Sequence, residues 1–355
     1  MYRDMTGGGI TRSLLLFALP MMAGSLLQQL YNVADTLIVG RALGRDALAA
    51  VGSAFTLTTF LTSVFLGLAM GAGALFAICI GRGDMAALRR AAALALCLIG
   101  AVTAVLTALV YALLSPILRF LQVPETLRGD MAGYLRIIFV GLAATFLYNF
   151  FACLLRAAGN SAAPLWFLGG AALLNVGLDL LFVLVCRWGV AGAAAATVIA
   201  QYAAGLGLTV YALRRCRELL PRRTDFRFDR RILRELLDLS LLTCVQQSAM
   251  NFGILLVQRL VDSFGPVVMA AFAAAVKIDA FAYLPVQEFG NAFSTFAAQN
   301  YGAGQPERLR QGLRRATAVS AAFSCAVAAL VVLFARPLMG LFVQAGETDV
   351  IAAGV

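Results

Sequence analysis

In LLQQLYNVADTLIVG, residues 26–40, an ionisable acid stands inside an apolar run. Gln28, Asn32 and Asp35 follow the spacing i, i+4, i+7, which puts all three on one helix face. A carboxylate at the centre of a membrane span costs about 2.5–3.5 kcal/mol, so that face must meet protein or water rather than lipid. Further along, LLNVGLDLLF sets Asn175 and Asp179 at i, i+4, and Thr197 and Gln201 repeat the spacing in the next apolar run. Three oxygen-bearing faces with two carboxylates describe one polar cavity able to take a proton, Na⁺ or a cationic ligand. For Thr197 and Gln201, a polar network that glues helices together is an equal account. For Asp35 and Asp179 it is the weaker one. No basic residue falls at matching depth in that part of the chain, since Arg136 lies near the end of a run, and two unpaired acids make poor glue.

The elements that must hold these residues are membrane spans. The chain is 61% hydrophobic and 13% charged, with mean hydropathy +0.87, too apolar for a water-soluble protein of this length. Apolar runs of spanning length fall at 13–40, 50–80, 91–115, 132–155, 162–186, 190–213, 268–300 and 316–336. A ninth, 237–262, is more polar but long enough. Spanning backbone must satisfy its own hydrogen bonds, and runs of this length predict helices rather than a barrel. The N-terminus leads directly into a span too long for a signal-peptide core. The seven cysteines are scattered with no paired spacing, and histidine is absent. Imidazole chemistry is therefore excluded, and no metal site or disulfide frame is expected.

The net charge of +10 follows membrane topology rather than a nucleic-acid footprint. With the N-terminus inside, inner segments carry 19 of the 28 basic residues and outer ones 6, the bias expected of a cytoplasmic N-terminus. Nine of the 19 lie at 214–235, a cytoplasmic linker.

That linker separates two copies of one pattern. LLQQ at Leu26 aligns with CVQQ at Cys244, GRGDMAALRRA at Gly81 with GAGQPERLRQG at Gly302, and FLQVPET at Phe120 with LFVQAGET at Leu341. The offsets are 218, 221 and 222. Six spans lie between the copies, so both have the same orientation, related by a pseudo-two-fold along the membrane normal. The expected architecture is all-α, with an N-terminal lobe over 1–213 and a C-terminal lobe over 236–355. On this pattern a complete second lobe extends beyond Val355, so the chain reads as a truncated twelve-helix protein.

The second copy departs from the first. Gln246 and Gln247 persist, but Gly253 stands where Asp35 would be. Gln258, Arg259, Asp262, Lys277, Asp279 and Glu288 form either structural ion pairs or a second site. Pro285, in YLPVQEF, predicts a kink and a candidate hinge.

QQLYNVADTLIVGRALG, RAAGNSAAP, NVGLD and PVQEFGNAFSTFAAQNYGAG resemble the MATE (multidrug and toxic compound extrusion) family, particularly its bacterial DinF-like side. The resemblance implies a multi-pass transporter of the bacterial inner membrane, acting as a monomer without a cofactor. It would export organic cations and amphiphilic drugs in exchange for H⁺ or Na⁺ by rocking its two lobes. It also implies that Asp35 is the coupling acid, Asn175 and Asp179 its fifth-span partners, and Thr197 their neighbour. A flippase for lipid-linked oligosaccharides or peptidoglycan precursors shares the architecture, but would want a basic cavity for a pyrophosphate headgroup. An intramembrane transferase would want Asp-rich metal motifs or catalytic histidine, and neither is present.

Overall fold

The structure is a computed structural model describing residues 5–43, 45–120, 125–262, 266–340 and 348–354. Among them there is no strand. The helices are α1 (Ile10–Leu43), α2 (Arg45–Gly81), α3 (Met85–Phe120), α4 (Glu125–Val140), α5 (Leu142–Ala157) and α6 (Ala162–Asp179). They continue with α7 (Gly189–Arg215), α8 (Arg230–Asp262), α9 (Pro266–Gly302), α10 (Pro306–Leu333), α11 (Ala335–Gly340) and α12 (Thr348–Gly354). Among the described residues six helices are long and apolar enough to cross a membrane, or seven if α4 and α5 make one bent span. The chain is a multi-pass membrane protein. α8 and α9 also have spanning length, and α8 is the more polar of the two, as its sequence predicts.

Two predicted spans are not single α-helices. The run 132–155 breaks at Gly141, where α4 and α5 meet at 41°. Breaking the ladder frees carbonyls, and tyrosines take them: Tyr111 donates to the Arg136 carbonyl at 2.5 Å and Tyr202 to that of Val140 at 3.0 Å. The run 162–186 turns at Asp179 into a π-helix, Leu180–Val185, closed by stacking of Phe182 on Trp188. By contrast, α9 continues through Pro285 without interruption, and α1 does the same through Pro20.

The repeated GRGD and GAGQ motifs are helix stops. Gly83 and Gly304 take φ of +72° and +65°, and the following amides reach back to the carbonyls of Cys79 and Asn300. Asp84 then caps α3 through the Ala87 amide at 2.8 Å. The segment 214–235 overlaps helix at both ends, because α7 runs to Arg215 and α8 starts at Arg230. Two of its acids pair with the start of α3, Asp225 with Arg89 at 3.4 Å and Asp229 with Arg90 at 3.6 Å.

Helices of the first copy pack tightly on those of the second. Gly71 and Gly67 of α2 lie against Ser240 and Cys244 of α8, while Gly81 and Gly302 let α2 meet α9 backbone to backbone. α1 belongs to both sides. Its first half buries Leu14, Phe17 and Met21 against Phe289 and Phe296 of α9, and its second half carries Asp35 beside α6. The N-terminal segment is clamped to the same helix end: Gln299 accepts from the Met5 amide at 3.1 Å, and Asn300 and Arg308 donate to the Met5 carbonyl.

Candidate ion-coupling and substrate site

α6 separates two environments. Leu173 is 76% exposed on the lipid-facing side, whereas Asn175 and Asp179 are 1% and 0% exposed on the opposite one. Across from them stands the Asp35 face of α1. The Asp35 and Asp179 carboxyls face each other within hydrogen-bond reach. Both Asp179 oxygens and one Asp35 oxygen are buried with no donor among the described residues. Two carboxyls in this arrangement can hydrogen-bond only through a proton carried by one of them. Tyr31 of α1 and Tyr134 of α4 lie within electrostatic range of both acids.

Next to the carboxyl pair is a cavity of about 140 Å³ between α1, α5, α6 and α7. Gln28, Tyr31, Asn149, Asn175, Thr197 and Gln201 are among the residues of its wall. Asn175 and Thr197 approach at 3.5 Å, joining α6 to α7. The expectation of one cavity shared by every polar residue needs correction in three places. Asp35 and Asp179 turn toward each other and do not line the cavity, and Asn32 donates to Gln29 at 3.2 Å along its own helix. Tyr31, Tyr134 and Asn149 were not expected at all. Thr145 and Asn149 stand at i, i+4 like Asn175 and Asp179, the same polar spacing in the sequence. The tyrosines carry no such mark, because a phenol in an apolar run reads as packing.

Gln201 has a second contact. Its carbonyl oxygen occupies the place a Cβ on residue 141 would take, so the bend between α4 and α5 opens where this amide enters.

The second-copy residues do not assemble into one site among the described side chains. Gln246 and Asp279 are exposed on α8 and α9. The side chains of Gln258 and Lys277 lie outside the described residues. Glu288 instead reaches a separate cavity of about 190 Å³ between the two copies, where Gln247 and Arg156 also stand. Arg156 is drawn into that wall from the last turn of α5.

The MatE family model matches residues 20–181 and 243–355. The chain is 30% identical over 353 residues to a probable multidrug resistance protein, YpnP, of Bacillus subtilis, covering 99% of this chain and 78% of that protein. It is 25% identical to a probable multidrug resistance protein, NorM, of Thermotoga maritima, over 94% of this chain and 72% of that one. A MATE transporter of the MOP superfamily, solved in an outward-facing conformation, superposes with TM-score 0.91 at 24% identity, covering 98% of this chain and 78% of its own. With most of its length matched by the family model and a relative 30% identical over nearly the whole chain, the chain belongs to the MatE family.

Proposed function

We propose that this chain is a secondary antiporter that exports cationic and amphiphilic drugs in exchange for H⁺, rather than an enzyme. The observation that carries the reading is the Asp35–Asp179 pair: two carboxyls face each other, and three of their four oxygens are buried with no donor among the described residues. Such a pair holds a proton, or gives it up and attracts a cation, but does not do both at full strength. Competition for one charge is what exchange requires. Family membership supports drug efflux in general; the ion is our assignment, and the need for a proton between the carboxyls favours H⁺ over Na⁺.

The cavity of about 140 Å³ has room for a cationic headgroup, with the rest of an amphiphile left outside. An acidic pair repels a pyrophosphate, so the flippase reading loses ground. In the full cycle the lobes 1–213 and 236–355 rock about the segment 214–235. The protein acts as a monomer in a bacterial inner membrane, with the N-terminus cytoplasmic as the 19 against 6 basic residues require.

The test is Asp35→Asn in proteoliposomes under an imposed pH gradient, with ethidium as the reporter cation. The near-isosteric amide should fold and insert while proton-driven export is abolished. Transport at the unmodified rate would remove Asp35 from coupling. Transport that follows Na⁺ and ignores the pH gradient would overturn the proton assignment.

A further inference from the structure

The cavity between the two copies contains one side chain of each charge, from opposite sides. Arg156 comes from the last turn of α5 and Glu288 from the middle of α9, and both line the same cavity. They do not pair: no ion contact within 4.0 Å joins them. Ser25 of α1 donates to one Glu288 oxygen at 2.9 Å, while the other is buried without a partner. The Arg156 Nε is likewise buried and unpartnered. Gln247, Gln287 and Asn291 complete the wall with amides.

Burying a charge without a hydrogen-bonded counter-group is expensive, and here two such groups of opposite sign border the same space. A ligand with a single charge satisfies one and leaves the other facing a like charge or nothing. A ligand with both charges satisfies both, and selectivity then comes from the group left unmatched in every competitor. We propose that this inter-copy cavity binds a small zwitterion, its carboxylate on Arg156 and its ammonium on Glu288. The cavity of about 190 Å³ accommodates a molecule of amino-acid size. An occupant ties α5 to α9, so its release requires the two helices to part. The site is distinct from the Asp35–Asp179 pair and does not depend on proton-coupled export.

The experiment is calorimetric titration of the full chain in detergent at fixed pH and with no gradient. The probes are glycine, β-alanine, γ-aminobutyrate and ε-aminocaproate, with caproate and hexylammonium as single-charge controls. One member of the zwitterion series should bind about tenfold or more tighter than both controls, and its chain length reports the spacing of the two charges. Arg156→Gln and Glu288→Gln should each erase that preference, whereas Asp35→Asn should leave it intact. If no zwitterion exceeds the controls, water fills the cavity and the proposal fails. It fails equally if the preference survives both amide variants. The probe series on the unmodified chain decides the matter even where a variant does not fold. A negative result leaves the export reading standing, since Asp35 and the gradient play no part in it.

Discussion

Asp35 on α1 and Asp179 at the end of α6 turn their carboxyls toward each other within hydrogen-bond reach, and the π-helix begins at the residue after Asp179. A widened turn at this point changes the direction of everything that follows on the helix. The two acids therefore form one unit rather than two independent sites.

A unit has a non-additive signature. Asp35→Asn and Asp179→Asn should each abolish pH-driven ethidium export, and the double variant should be no worse than either alone. Initial efflux rates from proteoliposomes, normalised to inserted protein, make the comparison. If the single variants each retain partial activity and their losses multiply, the acids act separately.

The bend at Gly141 depends on the Gln201 amide standing where a side chain would otherwise be. Gly141→Ala should cost about 1–3 kcal/mol through overpacking, read as a lowered midpoint of thermal unfolding in detergent. Gly141→Ala combined with Gln201→Ala should recover most of that loss. A single variant as stable as the parent would mean that the helix junction gives way freely.

Gln299 uses both ends of its amide: it donates to the Ala157 carbonyl at 2.6 Å and accepts from the Met5 amide at 3.1 Å. Gln299→Ala orphans two buried backbone groups, at about 1–3 kcal/mol each. The N-terminal segment should also become open to limited proteolysis. Gln299→Glu keeps the acceptor but loses the donor when ionised, so it should keep the N-terminus protected while still lowering stability. Equal protease sensitivity in both variants would count against this division of labour.

Orientation is tested by single cysteines on a cysteine-free background. A membrane-impermeant maleimide added outside intact cells should modify a cysteine at Arg187, in the exposed turn after the π-helix, and spare one at Arg223. The opposite pattern would invert the assigned topology.

Helix content and the inward-facing acids were legible in the sequence because both follow from local periodicity. An apolar run of spanning length has to be helical, and a stripe at i, i+4, i+7 has to avoid lipid. The GRGD and GAGQ stops were equally readable, since a glycine at positive φ ends a helix through contacts only a few residues away. Tertiary structure alone decided the partners. Asp35 meets Asp179, Tyr31 and Tyr134 join them, and Asn32 is left to its own helix, because helix rotation and tilt are set by packing against neighbours rather than by sequence spacing. The surroundings of the break at Gly141 were hidden for the same reason: the amide standing where its Cβ would be comes from α7. Arg156 and Glu288 share a cavity only because α5 and α9 bring them there from distant parts of the chain. Spacing fixes which face of a helix is polar, but where that face points depends on contacts between residues far apart in the chain.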